Sequence, residues 1–326
     1  MKHHFPRPRV LVSRCLGFAA CRYDGQQLHA GVIDRLREHV DFVDLCPEME
    51  AGLGVPRPPI RLCREDGKVE VWQQARGRTV TMDLMQAAQK LIQDIEGFDG
   101  AILKGRSPSC GLYDVKVYQG IEQPQFLRWD SGVFGAMVQE RLGHKAVEDE
   151  QRLTNLILRE HFLIKLYVWA RFRAIATRPD RPGMGDLVAF HAAHKLLFLA
   201  CNQSRYRICG AIVANQPRYP VIEVFRRYEQ ELRQLLHRPI RRRSMVNALY
   251  HAYGWIAEKL SLPEKEYIVN TIEEYRDERI PLPAVTRLLE AQAIRFENRY
   301  LISQVLLRPF PPQLADLSDS GKGREI

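Results

Sequence analysis

Arg9-Val-Leu-Val-Ser13, followed by Arg14-Cys15-Leu-Gly-Phe-Ala-Ala-Cys21-Arg22-Tyr-Asp-Gly25, is the stretch on which the fold turns. Arg9 to Ser13 reads as a buried strand, and a helical pattern over Gly31 to Val40 separates it from a second strand, Asp41 to Leu45. Working outward, Ile60 to Cys63 and Lys68 to Trp72 form a hairpin pattern across Glu65-Asp66-Gly67. Val80 to Ile95 carries Met82, Leu84, Met85, Ala88, Leu91, Ile92 and Ile95 at helical spacing. Ala101 to Leu103 follows as a short buried strand and Gly135 to Leu142 as a helix. Strands interleaved with helices predict a three-layer, mostly parallel α/β sheet, with ligands at the strands' C-terminal ends.

The pattern changes near Glu148. Gln151 to Thr177 reads as one long amphipathic helix, and a break is expected at Pro179-Asp-Arg-Pro-Gly183. Helical patterns then recur at 185–201, 204–215, 221–236, 243–260, 264–276 and 282–306. Pro220, Pro239, Pro263 and Pro281 stand before or at helix starts. The second half therefore reads as a separate all-α domain. The expected divisions are 1–148, a connecting helix and linker over 149–184, a helical domain over 185–312 and a frayed tail over 313–326.

The chain has 326 residues, 45% of them hydrophobic, which is enough for two packed cores and excludes bulk disorder. No run of about 18 uncharged apolar residues is present, because Leu187 to Cys201 carries His191, His194 and Lys195. Met1 to Val10 holds charges and two prolines but no apolar signal region, so a cytoplasmic protein without a membrane partner is expected. The net charge of +9 is uneven: residues 1–150 hold 20 Lys+Arg against 21 Asp+Glu, and residues 151–326 hold 28 against 18. A basic second half suits a polyanion such as RNA, or is simply a solvated arginine-rich surface.

Seven cysteines in a reducing compartment are buried thiols, metal ligands or reactive groups rather than disulfides. Cys15 and Cys21 follow the first strand, Cys46-Pro47-Glu48 follows the second, and Cys110 lies in Lys104-Gly-Arg106-Ser107-Pro-Ser109-Cys110-Gly111 after a later one. In a parallel sheet all these loops open on one edge. That gathers sulfurs, a carboxylate and two serines in one crevice, a soft-metal environment suited to zinc or an iron–sulfur cluster. Arg14, Arg22, Lys104 and Arg106 flank the sulfurs and favour thiolate. The spacing alone is neither a zinc CxxC pair nor a ferredoxin run, and strand-end cysteines also occur as plain packing. Cys63, Cys201 and Cys209 read as packing. His191 and His194, three apart on one helix, lack an obvious third ligand and read as core or surface histidines. Gly52-Leu-Gly54 has no phosphate-loop context, and no Gly-x-Ser-x-Gly elbow occurs.

Val12-Ser-Arg-Cys15 with Cys21-Arg-Tyr-Asp-Gly25, Cys46-Pro-Glu48 with Gly54-Val-Pro56-Arg-Pro-Pro-Ile60, and Lys104 to Gly111 resemble the thiouracil desulfidase family across residues 8 to 150. The resemblance implies a [4Fe-4S] cluster held by three cysteines, here Cys15, Cys46 and Cys110, with the fourth iron open to the sulfur of a thiolated pyrimidine. It implies Glu48 as general base and Ser107 as a substrate-positioning hydroxyl, with Ser109, Lys104 and Arg22 around the substrate. The expected reaction is a non-redox hydrolysis with sulfide held at the open iron. Cys21 is a possible fourth ligand that would close the cluster. The chain departs from the family at Leu16-Gly17-Phe18, where Leu-Leu-Gly is usual.

The second half resembles the YbgA-like helical domain of unknown function, through His191-Ala-Ala-His-Lys195, Asn247 to Trp255, Tyr275 to Leu282 and Tyr300 to Pro312. That resemblance implies no activity. Its densest charge, Arg241-Arg242-Arg243, precedes Tyr250, Tyr253 and Trp255 and is a candidate phosphate- and base-binding patch; alternatively the arginines open a helix and the aromatics fill the core. The expected function is an iron–sulfur desulfidase. The rivals are a protein that acts on or senses thiolated RNA and a non-catalytic metal-binding module.

Overall fold

The computed structural model describes residues 5–93, 95, 97–178 and 183–321. Most of the expected break at Pro179 to Gly183 lies outside these described residues. The chain divides into two compact units: Arg7–Phe162 with residues 318–321, and residues 5–6 with Leu163–Leu317.

The elements of the first unit are, in order, β1 (Arg9–Ser13), α1 (Gly31–Leu36), β2 (Asp41–Leu45), α2 (Pro47–Glu50), β3 (Arg61–Glu65), β4 (Lys68–Gln73), β5 (Arg78–Thr79), α3 (Thr81–Gln93), β6 (Gly100–Leu103), β7 (Val115–Gln119), β8 (Gln125–Asp130), α4 (Val133–Leu142) and β9 (Ala146–Asp149). A four-stranded sheet has the order β2-β1-β6-β9, and each neighbouring pair is parallel. Its central strands read as continuous apolar runs because both faces are covered: Val10, Leu11 and Val12 are at most 1% exposed, and Ala101 to Leu103 are fully buried.

A second sheet, absent from the sequence expectation, has the order β5-β4-β3-β7-β8 and mixes parallel with antiparallel pairs. The expected hairpin is β3–β4, turning through Asp66 (φ 46°) and Gly67 (φ 80°), the pair of positive φ values that a two-residue hairpin loop requires. β7 and β8 are not among the expected strands: β7 offers only Val115 and Val117 as an alternating buried pair, and β8 is almost wholly exposed with no buried face to set a period.

Helix α4 packs its first turn onto the loop that carries Cys110. The amides of Phe134 and Gly135 both donate to the Ser109 carbonyl, at 2.8 and 3.0 Å. A Cβ on Gly135 would lie 2.1 Å from the Gly111 carbonyl oxygen, and both partners there are backbone. Gly135→Ala is therefore expected to cost about 2–3 kcal/mol by overpacking, read as a lower urea midpoint for the first unit than in the parent protein.

Helix α5 (Leu156–Ala176) has residues in both units, and the second unit continues through α6 (Met184–Cys201), α7 (Gln203–Ala214), α8 (Val221–Leu235), α9 (Arg242–Gly254), α10 (Leu262–Arg276), α11 (Leu282–Arg295) and α12 (Arg299–Ile302). The prolines act as expected: Pro220 and Pro281 stand directly before α8 and α11, and Pro263 occupies the first turn of α10. The expected helix over 282–306 ends instead at Arg295. Glu297 takes φ 51°, and the Asn298 side chain accepts from the Leu301 amide to start α12. By length and mean hydropathy (1.2), α6 could cross a bilayer. In this unit it is a core helix, with Leu187, Leu196, Leu197, Phe198 and Ala200 at most 1% exposed.

Candidate metal centre

The parallel order of β2, β1 and β6 decides the site, because their C-terminal ends share one edge of the sheet. Cys15 lies two residues beyond β1, where the Arg14 amide donates to the Leu45 carbonyl (2.8 Å) and carries the β1–β2 register past the strands. Cys46 directly follows β2 and is the N-cap of α2. After β6 the chain turns tightly: Ser107 Oγ accepts from the amides of Ser109 and Cys110, and the Ser107 carbonyl accepts from Gly111. That turn brings Cys110 back under the same edge.

Cys15, Cys21, Cys46 and Cys110 line one cleft of about 640 Å³, together with Glu48, Ser107, Lys104 and Arg22. Ser109 is not on its wall; it is 1% exposed and reaches Glu48 from behind. Cys63 is buried in β3, whereas Cys201 and Cys209 belong to helices of the second unit. Arg241, Arg242 and Arg243 also lie in the second unit, at the start of α9. There Arg242 donates to the Tyr275 carbonyl at 2.7 Å and faces Glu278 at 3.2 Å.

Burial, then the neighbouring Cys46, push both the Cys15 and Cys21 thiols up to about 12. Cys110 rises from the same two causes. The flanking cations work the other way, Lys104 on Cys15 and Arg14 on Cys21, but burial outweighs them. In the bare protein the expected thiolates are thiols. Such a crowd of buried sulfurs ionises together only around a cationic centre. Among the described residues no three His, Cys, Asp or Glu side chains are grouped to hold a single metal ion. An all-sulfur donor set spread around a cleft matches the ligand chemistry of an iron–sulfur cluster, whose thiolates stand apart by the width of the cluster.

Glu48 is fixed on both oxygens. Arg57 donates to Oε2 through Nε (2.8 Å) and Nη2 (2.6 Å), and Ser109 Oγ donates to Oε1 at 2.5 Å. The Arg57 side chain is only 3% exposed, and its remaining arm donates to the carbonyls of Cys21 (3.1 Å) and Gly54 (2.7 Å). One guanidinium thus ties the Cys21 loop, the 54–57 turn and the carboxylate together. Ser109 Oγ is also 3.0 Å from Ser107 Oγ, which links half-buried Glu48 to a second hydroxyl, this one on the cleft wall. Arg57 was not singled out in the sequence, although it sits inside Gly54-Val-Pro56-Arg-Pro-Pro. Lys104 is held by Glu150 (2.6 Å), which also escaped notice.

Residues 10–150 match the family model described as 2-thiouracil desulfurase, and residues 195–311 match DUF1722, a protein family of unknown function. The chain is thus similar to the 2-thiouracil desulfurase family over its first half and to DUF1722 over most of its second. Similar proteins include YbbK of Bacillus subtilis (strain 168), 29% identical over 149 residues, which are 44% of this chain and 96% of YbbK. YbgA of Escherichia coli (strain K12) is 27% identical over 138 residues, 42% of this chain and 81% of YbgA. Both relatives are named as uncharacterized proteins. Among solved structures, the [4Fe-4S]-dependent thiouracil desulfidase TudS is 29% identical, with 45% of this chain and 93% of TudS covered at a TM-score of 0.36. The cleft is lined by residues from all three quoted motifs, within the stretch that matches the 2-thiouracil desulfurase model; residues 195–311 contribute none of its lining.

Proposed function

We propose that the first unit is a desulfidase that removes sulfur from a thiolated pyrimidine by hydrolysis, with a [4Fe-4S] cluster on Cys15, Cys46 and Cys110. The observation that carries the reading is one cleft holding those three sulfurs beside Glu48, with the carboxylate clamped between Arg57 and Ser109. The 2-thiouracil desulfurase family match and the name of TudS support the substrate and the cofactor.

Bound there, the cluster supplies a thiophilic Lewis acid for the substrate's sulfur. Glu48 takes a proton from the water that attacks the thiocarbonyl carbon. Arg57 fixes the direction of that carboxylate, and Ser109 holds its second oxygen while leaving it a lone pair for the water. Ser107 offers its hydroxyl to the pyrimidine ring. One water is consumed, C=S becomes C=O and hydrogen sulfide leaves, so no electrons are exchanged.

Protein purified without oxygen should contain about four iron and about four acid-labile sulfide per chain, and should release sulfide from 2-thiouracil. Zinc, or no metal in folded protein, would overturn the proposal. The same assay run on the thiolated nucleoside and on thiolated RNA separates substrates. Turnover of RNA alone, falling steeply with salt, would assign recognition to the basic second half.

A further inference from the structure

The second unit has a cleft of its own, about 390 Å³, independent of the first unit's chemistry. Arg171, Asp186, Phe190, His194, Ser303 and Arg308 line it, over a floor of alanines and Ile175. Most of its charges are matched. Asp186 accepts from Arg178 at 2.5 Å, and Arg308 faces Glu290 at 2.5 Å.

Arg171 is not matched. Its Nη1 donates to the Pro309 carbonyl at 2.7 Å and its guanidinium lies over Phe5, but among the described residues no carboxylate pairs with it. Burial pulls this guanidinium down to about 10. A half-buried guanidinium without a counter-charge gains from an anion that joins it.

His194 is incomplete in the complementary sense. Its ring is 2% exposed, between Phe190 and Phe198, with centroids 4.0 and 5.1 Å away. Nδ1 lies 2.7 Å from the Phe190 carbonyl, which only accepts, so Nδ1 carries the hydrogen and Nε2 a lone pair. Nε2 is buried with no hydrogen-bond partner. Burial and the nearby Arg171 hold the imidazole neutral, down to about 3. A buried acceptor without a donor carries its full desolvation penalty.

The cleft thus presents a cation without an anion, an acceptor without a donor, and an apolar floor. We propose that it binds a small hydroxy acid with an apolar body, its carboxylate on Arg171 and its hydroxyl donating to His194 Nε2. This assigns a ligand site to the helical second unit.

Isothermal titration of the full chain with three probes tests it. Mandelate carries both groups, phenylacetate lacks the hydroxyl and benzyl alcohol lacks the charge. Mandelate is expected to bind, phenylacetate about 5–10-fold more weakly and benzyl alcohol at least about tenfold more weakly than mandelate. Arg171→Gln should weaken mandelate at least about tenfold. Ala193→Leu, which adds bulk to the cleft from α6 and leaves Arg171 and His194 in place, should abolish binding, and unchanged far-ultraviolet circular dichroism would show that both variants fold. No heat with mandelate, equal affinity for phenylacetate, or mandelate binding unmoved by either substitution would each overturn the assignment.

Discussion

Glu48→Gln is expected to retain the full iron and sulfide content and to lower kcat on 2-thiouracil by about 10²–10⁴-fold. Glutamine has nearly the shape of glutamate, so its carbonyl oxygen still accepts from Arg57 and its amide donates to Ser109 once that hydroxyl turns. The clamp survives and only the base is lost. Arg57→Lys provides the contrast, because one ammonium cannot replace a guanidinium that serves Glu48 Oε2 twice and two backbone carbonyls besides. That variant should lose kcat while Glu48 remains, with metal content again unchanged. Turnover unaffected by Glu48→Gln would remove the carboxylate from the chemistry and favour a binding module.

Cys46→Ser should take the protein from about four iron per chain to nearly none, with loss of the cluster's visible absorbance and of all sulfide release. Cys46 is one of the three proposed ligands on the cleft wall, at the N-terminus of α2 directly beyond β2. Cys15→Ser and Cys110→Ser are expected to behave alike. Cys21→Ser is expected to retain iron, since Cys21 lines the cleft but is not one of the three proposed ligands. Iron lost from Cys21→Ser and kept in one of the other three would reassign the ligand set.

Much of this arrangement is legible in the amino-acid sequence. The strands Arg9–Ser13 and Asp41–Leu45 are legible to the residue: the Val10-Leu11-Val12 run of the first ends before Arg14, and the second stops where Cys46-Pro47 opens a helix. The all-α second half followed from helical periodicity and four helix-starting prolines. Of the second sheet only the β3–β4 hairpin is legible in the sequence. β7 is parallel to β3, more than 50 residues earlier in the chain, and β8 has no buried face to impose a period.

The site divides the same way. Cysteines in three strand-end loops could be read from the one-dimensional chain, because a parallel sheet sends every such loop to one edge. The sequence also distinguished Glu48 and Ser107 through their motifs. It could not say that Ser109 faces the back of Glu48 instead of the cleft, nor that Arg57 is the carboxylate's partner, nor that Arg171 and His194 share a wall. A periodic pattern records which face of an element is buried, and that is local. Which buried polar atom meets which depends on side chains brought together from distant segments, so only the packed tertiary structure decides it.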